Sequence, residues 1–152
     1  AAFVDVEDAD IDAIAASIQE KGVTNDVAKV VSVIEAEDAS GELLGYIFTV
    51  DSYKGYGGLI EFLVGIQNDG TVNGYSLLSI GETVGLGMKA KDEPFASQFR
   101  GKNVDHFEYT KSGALSDNEI DAISGATITT RAMTNGMNAA IYAFDYITGK
   151  EE

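Results

Sequence analysis

The chain has 152 residues, of which 45% are hydrophobic and 23% charged, as in a globular single-domain protein rather than a disordered one. Its formal net charge of −15 argues against nucleic acid or an anionic membrane surface as a partner, because both would repel it. The absence of cysteine excludes disulfides, iron–sulfur clusters and thiol catalysis, and the single histidine, His106, excludes a multi-histidine metal site within the chain.

The first predicted element is an acidic N-terminal helix within residues 1–22. Carboxylates crowd its start, where negative charge favours the helix dipole. Hydrophobic residues then recur at helical spacing, and Gly22 is the expected end: Ile11, Ile14, Ala15 and Ile18. We interpret the carboxylates as a solvated helix start, not as a cation site.

Residues 29–80 form a β-rich half with four predicted strands. These cover residues 30–34, 43–50, 59–66 and 72–80, and the second is apolar enough to predict burial on both faces. Turn signals at 39–42 and at Asn68-Asp69-Gly70 connect neighbouring strands as hairpins, so we expect antiparallel pairing.

The C-terminal half is predicted to end in a long amphipathic helix over residues 129–148. A short helix at 94–99, with Pro94 near its start, and a short fifth strand at 107–110 precede it. Hydrophobic residues of the long helix recur every three or four positions, and Gly149 ends it: Met133, Met137, Ala140, Ile141, Phe144 and Ile147. The whole pattern predicts one α+β domain, a twisted antiparallel sheet with helices packed against it. His106 is interpreted as a surface or packing residue, so hydrolytic catalysis finds no support.

Three glycine-rich segments interrupt these elements. They are 55–58, 82–87 and 124–127, and the last of them leads into the long helix. Each taken alone is more often a turn than a site, and the third is often an ordinary Ser/Thr helix cap. If all three lay at one end of the sheet, their backbone would form flat walls suited to a planar aromatic ring. A helix start with a hydroxyl at Thr127 would suit a phosphate.

Together the three segments resemble the bacterial FMN-binding domain family. Asp121-Ala122-Ile123-Ser124-Gly125-Ala126-Thr127 is similar to its flavinylation motif, Asp-x-x-Ser-Gly-Ala-Thr. Glu82-Thr83-Val84-Gly85-Leu86-Gly87 resembles its Glu-Thr-Pro-Gly-Leu-Gly segment, and Gly55-Tyr56-Gly57-Gly58 resembles its Gly-Tyr-Gly-Gly loop. Val84 stands where the family has proline, so the loop lacks that restraint on φ. The family includes the G subunit of Rnf ion-translocating oxidoreductases, which the chain resembles most, and the C subunit of the Na⁺-translocating NADH:quinone reductase.

The resemblance implies FMN joined to Thr127 by a phosphoester bond. A separate FAD-dependent flavin transferase, which uses Mg²⁺, would recognise a segment made of Asp121, Ser124, Gly125, Ala126 and Thr127. Thr83 and Leu86 would line the isoalloxazine ring within the flavin-site loops, residues 81–128. The other expected cofactor-binding residues are Tyr56, Gly57, Glu82, Gly85, Gly87, Lys89, Ser124, Gly125, Ala126, Ile128 and Thr129. A solvated lysine is the alternative for Lys89, and Thr129 and Thr130 are competing hydroxyls.

The same resemblance implies an electron-transfer module rather than a stand-alone enzyme. It would belong to a membrane-bound, ion-translocating complex and lie on the outer face of the cytoplasmic membrane. Its partners would be the other subunits, with membrane association through an anchor absent from this chain. Two alternatives remain open: a flavinylated domain of another extracytosolic reductase, and a secreted binding module without cofactor, whose glycine-rich segments are only turns.

Overall fold

The described part of the chain consists of a meander of strands followed by short elements and a long C-terminal helix. The computed structural model describes residues 2–5, 8–55, 58–80, 93–114, 116–122 and 127–149, with the backbone alone at 2–5, 8–10, 54, 55, 58, 79, 80, 93 and 94. In chain order the elements are β1 (Ala2–Asp5), α1 (Asp8–Glu20), β2 (Ala28–Glu37), β3 (Leu43–Gly55), β4 (Gly58–Gln67), β5 (Val72–Ile80), α2 (Glu93–Ala96) with a 3-10 turn (Ser97–Phe99), β6 (Glu108–Thr110), β7 (Glu119–Asp121) and α3 (Thr127–Thr148).

The main sheet contains five strands in the order β1-β2-β3-β4-β5, and every neighbouring pair is antiparallel. Val50 at its centre lies opposite Val30 on one side and Phe62 on the other, which places hydrophobic residues of three strands on one face. The four predicted strands, their antiparallel pairing and the α+β class are therefore confirmed.

Helices cover one face of this sheet. Along β3 the side chains of Tyr46, Phe48, Val50 and Ser52 are buried, whereas the intervening Thr49 is only half-buried. The predicted burial of this strand on both faces is thus wrong. Ile47 and Thr49 instead lie beside cross-strand neighbours on β2, and Thr49 accepts a hydrogen bond from Ser32 Oγ at 2.7 Å.

α3 supplies the other side of the core. Met133, Met137, Ala140 and Phe144 are buried against the sheet, as their spacing predicts. Each large apolar side chain buried in this way contributes roughly 1.5–3 kcal/mol. The helix begins at Thr127, two residues before the predicted start, because a cap leaves little trace in hydrophobic periodicity.

The N-terminal segment differs from the prediction. A helix was expected within residues 1–22, but the chain first forms β1, which pairs with β2 at the sheet edge, and only then α1. A four-residue strand is too short for an alternating pattern to stand out, so acidic residues dominated the signal. α1 itself and the turn at Gly22, where φ is +101°, agree with the sequence.

The short elements between the sheet and α3 also differ in part. The predicted strand at 107–110 exists as β6, but it pairs in parallel with β7 in a separate two-stranded sheet and does not join the main one. The predicted helix at 94–99 consists of one α-turn followed by a 3-10 turn. Phe99 of that turn packs edge-on against Phe107, with ring centroids 4.9 Å apart, and so attaches both elements to the core.

Candidate functional site

Two of the glycine-rich segments attach at the same end of the main sheet. Gly55 at the end of β3 lies opposite Gly58 at the start of β4, and both belong to the first segment. Ile80, the last residue of β5, lies opposite Ile60, only two residues from Gly58. β5 therefore ends close to Gly58, and the second segment begins two residues after Ile80 in the sequence.

α3 brings the third segment to this end. Ser52 Oγ donates a buried hydrogen bond to Ala132 O at 2.8 Å, while Tyr46 on the same strand packs edge-on against Phe144 with ring centroids 5.9 Å apart. The helix consequently runs antiparallel to β3. Gly55 and Thr127 both lie within about 10 Å of the Ser52–Ala132 bond, measured along their own elements. The described residues within or next to the three segments, Gly55, Gly58, Ile80 and Thr127, thus lie at one end of the sheet.

A close approach seats α3 on the sheet. A Cβ atom added to Gly136 would lie 2.4 Å from Cζ of Phe62 and 3.2 Å from Cγ1 of Val50. Both neighbours are fully buried, so neither has room to move. The absence of a side chain at Gly136 therefore sets how near the first half of the helix lies to β3 and β4.

The first turn of α3 separates three threonines by burial. Thr129 and Thr130 are 1% and 0% exposed, whereas Thr127 is half-buried. Ile128 beside it is 46% exposed, a large apolar surface for a residue at the start of a helix. In the folded protein, Thr127 is thus the hydroxyl of this group that a second molecule can approach.

Asp121, the last residue of β7, is held by the residues around it. Gln98 accepts a hydrogen bond from Asp121 N at 2.7 Å and donates one to Asp121 O at 3.1 Å. The Asp121 carboxylate accepts the backbone N–H of Ala114 at 2.6 Å. These contacts fix the chain where it leaves β7 for the third glycine-rich segment.

Arg131 and Tyr109 form a polar pair beside the start of α3. Nε and Nη2 of the exposed Arg131 donate to the Tyr109 hydroxyl at 3.4 and 3.2 Å. Phe107, the residue just before β6, donates from its N to Asn138 Oδ1 at 2.6 Å, and Asn138 Nδ2 donates to Phe107 O at 2.9 Å. The buried amide of Asn138 thereby sets the position of β6, and with it that of Tyr109.

A carboxyl pair lies on the open face of the sheet. Asp51 on β3 is directly opposite Glu61 on β4. Burial, and then hydrogen bonding and repulsion from Glu61, raise the pKa of Asp51 to about 6, against the opposing effects of Tyr53 and Lys29. Among the described residues, no donor reaches the buried Oδ1 of Asp51.

Two cavities open away from Thr127. One, of about 70 Å³, is lined in part by Ile66, Ile141 and Phe144, near the C-terminal half of α3. The other, of about 310 Å³, is lined by Asn103, Val104, Asp105, His106, Asp117 and Asn118, at the opposite ends of β6 and β7 from Asp121. The first is too small for a nucleotide, and carboxylates in the second oppose a phosphate. His106 lies 3.6 Å from Glu108 at this second cavity, remote from Thr127.

Many predicted site residues lie outside the described part of the chain, and their roles stay predictions. They come from all three glycine-rich segments and, with Lys89, from just beyond the second: Tyr56, Gly57, Glu82, Thr83, Gly85, Leu86, Gly87, Lys89, Ser124, Gly125 and Ala126. The structure describes the strands and the helix that border these segments. Of the predicted site residues it describes Asp121, Thr127, Ile128 and Thr129.

Comparison with known families identifies a match over the part of the chain that contains the glycine-rich segments. The model of the FMN-binding domain family matches residues 55–142, from the end of β3 to the second half of α3. The chain belongs to the FMN-binding domain family. The match includes all three glycine-rich segments, and FMN is accordingly the cofactor of this domain.

Three curated relatives of this FMN-binding domain are G subunits. The chain is similar to the G subunit of the proton-translocating ferredoxin:NAD(+) oxidoreductase complex of Clostridium ljungdahlii, with 38% identity over 75% of this chain and 60% of that one. It is 35% identical to the Na(+)-translocating counterpart of Acetobacterium woodii, over 72% of this chain and 54% of that one. It is 33% identical to the G subunit of the ion-translocating oxidoreductase complex of Methanosarcina acetivorans, over 85% of this chain and 65% of that one. The chain thus spans less than two thirds of these relatives.

Solved structures share the fold. NqrC of Shewanella oneidensis superposes with a TM-score of 0.61 at 23% identity, covering 79% of this chain and 61% of that one. The C subunit of the Na(+)-translocating NADH-quinone reductase from Parabacteroides distasonis superposes with a TM-score of 0.60 at 21% identity. The superposition covers 80% of this chain and 63% of that one. At this identity the likeness establishes the architecture.

The described residues of the FMN-binding domain fit a flavin nucleotide at the sheet end. Thr127 offers an approachable hydroxyl, Ile128 an exposed apolar surface, and Arg131 a cation on the same stretch of helix. Among residues 11–53, 59–78, 95–114, 116–122 and 127–149, no group of acidic residues and histidine has the arrangement that would hold a metal ion. Within the described chain, no helix combines the length and apolar character needed to cross a membrane.

Sequence reasoning did not identify Gln98, Tyr109 or Arg131 as part of this region. Gln98 and Tyr109 reach it through contacts across 23 and 22 residues of chain, which no local pattern reveals. Arg131 had a usable signal, because it lies four residues after Thr127 and so on the same side of a helix.

Proposed function

We propose that this domain is an electron-transfer module that carries FMN covalently, through a phosphoester on Thr127, as part of the G subunit of an ion-translocating oxidoreductase complex. The observation that carries the proposal is that Gly55, Gly58 and Ile80, which lie in or next to two glycine-rich segments, share one end of the sheet with the half-buried Thr127 of the third. The names of the curated relatives support the wider assignment.

Attachment needs a nucleophilic hydroxyl and an activated flavin. In the proposed step Thr127 Oγ1 bonds to the FMN-side phosphorus of FAD, the pyrophosphate P–O bond breaks, AMP leaves, and the hydroxyl proton passes to a base of the transferase. Asp121, Ser124, Gly125 and Ala126 form the segment that the transferase recognises. Burial keeps Thr129 and Thr130 out of its reach, which favours Thr127 as the acceptor.

The chain's own residues orient the cofactor rather than carry out chemistry. The bound flavin supplies redox chemistry, while the protein supplies position and electrostatics. N–H groups at the start of α3 favour the phosphate by roughly 0.3–1 kcal/mol, or about 2 kcal/mol when partly buried. That range orients a phosphate but does not retain a nucleotide, so the covalent bond provides retention.

The partners and location follow from the same proposal. The domain exchanges electrons with other subunits of a membrane complex and lies on the outer face of the cytoplasmic membrane, held there by an anchor outside this chain. Tagging the full-length protein in its own cells should recover membrane subunits together with a flavin-fluorescent band. Recovery of the flavinylated protein without such subunits would instead support the alternative of another extracytosolic reductase.

The attachment site is tested by intact mass after co-expression with an FAD-dependent flavin transferase. The wild-type chain should gain the mass of one FMN less one water, on the peptide that contains Thr127. Thr127→Val should gain nothing, because it keeps the shape but lacks the oxygen. Thr148→Val is the matched control, at the far end of the same helix, where Oγ1 donates to Phe144 O at 2.8 Å, and it should be modified normally. A modified Thr127→Val chain would refute the assignment.

A further inference from the structure

Arg131 has an unusual place in the charge pattern of this protein. Twenty-five acidic residues against ten basic ones leave the chain strongly negative, yet Arg131 is the one basic residue in the sequence of α3 and lies just after its first turn. That first turn holds no acidic residue. The positive end of a helix dipole favours anions and disfavours cations, so this arrangement is unfavourable for an isolated helix. An anion bound in front of the helix would make the position of Arg131 electrostatically favourable.

Helix geometry directs the guanidinium towards Thr127. Residues four apart lie on the same side of a helix, with Cβ atoms about 5–6 Å apart. Long side chains also lean towards the helix N-terminus and cover the preceding turn. Arg131 therefore shares one side of α3 with Thr127 and Ile128, and both Arg131 and Ile128 are exposed there.

Tyr109 holds the guanidinium in place. Its hydroxyl accepts from Nε and Nη2, which occupies two of the five N–H donors of an arginine and leaves three for another acceptor. The position of Tyr109 on β6 is set in turn by the two hydrogen bonds between Asn138 and the backbone of Phe107, just before this strand. An exposed arginine normally loses side-chain entropy on binding a ligand, and a fixed one loses less.

We propose that Arg131, oriented by Tyr109, binds the phosphate of the FMN esterified to Thr127. The proposal rests on the proposed function and adds to it a cation that the glycine-rich motifs do not contain. A phosphoester retains one negative charge and unesterified oxygens, and a guanidinium matches both the charge and the planar arrangement of acceptors. Tyr109 is a positioning residue and does not itself bind the phosphate.

The test compares the thermal stability of flavinylated and unmodified protein in the same variant. In Arg131→Gln, the Tm difference between the two forms should shrink by about 2–4 °C relative to wild type, since only the flavinylated form contains the contact. Tyr109→Phe should give a smaller decrease in the same difference. Lys102→Gln is the matched control: it removes a positive charge that lies 3.8 Å from Asp117, remote from Thr127, and should leave the difference unchanged.

A second measurement separates phosphate contact from a merely structural role. The ³¹P resonance of the phosphoester should shift in Arg131→Lys and in Arg131→Gln but not in Lys102→Gln. If Arg131→Gln folds but is not modified, the Tm difference and the ³¹P resonance of Arg131→Lys and Tyr109→Phe test the proposal instead.

Two outcomes would overturn the proposal while leaving the proposed function intact. One is an equal loss of Tm in both forms of Arg131→Gln, and the other is an unchanged ³¹P resonance in the Arg131 variants. A wild-type chain that acquires no FMN from an active transferase would instead refute the proposed function, and this proposal with it.

Discussion

Thr127, Thr129 and Thr130 carry the same hydroxyl but differ in their surroundings. Thr129 and Thr130 are almost fully buried, whereas Thr127 remains half-buried at the helix start. A helix turns about 100° per residue, so adjacent positions point to different sides of it. The choice among three chemically identical groups therefore depends on which side of α3 packs against the core.

Asp51 gives a residue-scale prediction about pH. Its folded-state pKa of about 6 lies above the ordinary value of 3.8, so ionisation in the folded protein is disfavoured and stability falls as pH rises from about 4 to about 6. Asp51→Asn should therefore be more stable than wild type at pH 8, by about 1 kcal/mol. Two pKa units would correspond to roughly 3 kcal/mol, but solvent screens this partly exposed pair.

Urea denaturation at pH 4 and at pH 8 measures the effect of Asp51→Asn. The gain should appear at pH 8 and largely vanish at pH 4, where the wild-type carboxyl is protonated. Asp105→Asn, on an exposed carboxylate, controls for the loss of one negative charge from an acidic chain. Equal gains in the two variants would show that net charge, and not the Asp51–Glu61 pair, is responsible.

At the level of elements, the seating of α3 on β3 and β4 positions the whole site. The Ser52–Ala132 hydrogen bond and the close approach at Gly136 lie along the first half of the helix. Thr127 is the first residue of this half of the helix. Any change that lifts the helix from the sheet also displaces the start of α3 relative to the turn between β3 and β4.

Gly136→Ala is the element-scale prediction. Alanine improves helix propensity by about 1 kcal/mol, but overpacking against the buried ring of Phe62 costs about 1–3 kcal/mol. We expect a net destabilisation of about 1 kcal/mol, seen as a Tm about 2–4 °C lower. Gly65→Ala is the matched control, because its added Cβ would lie an ordinary 3.6 Å from Cβ of Asn73. A Gly136→Ala protein as stable as wild type would show that the helix can shift without penalty.

At the scale of the whole molecule, net charge opposes folding. A charge of −15 on a chain of 152 residues repels itself most strongly in the compact state. Added salt shortens the screening length from about 30 Å at 0.01 M to about 8 Å at 0.15 M. The unmodified domain should therefore gain roughly 2–5 °C in Tm over this range of ionic strength.

Calorimetry in NaCl and in KCl tests the charge prediction. Screening depends on ionic strength alone, so the two salts should give the same rise in Tm at equal concentration. A larger rise in NaCl would mean that the folded chain binds Na⁺ specifically. A Tm that is flat in both salts would contradict self-repulsion as a significant term.

Four strands of the main sheet and the last helix follow from local patterns in the sequence. Alternation along the strands, the Asn68-Asp69-Gly70 turn and three- and four-residue spacing in α3 predicted the meander and the last helix, because these signals arise from neighbours in the chain. The three glycine-rich segments likewise indicated the family and its cofactor, since they depend on residue type at fixed spacing. β1 and β7, of four and three residues, were not predicted.

How these parts meet depends on tertiary packing. The antiparallel course of α3 over β3 brings Thr127 to the strand ends that carry the other two segments, and it rests on the contacts of Ser52, Gly136 and Phe144 with the sheet. Burial of Thr129 and Thr130, and the placement of Arg131 by Tyr109, follow from the same packing. Such contacts join residues far apart in the chain, and packing against the core selects them, so no local pattern encodes them.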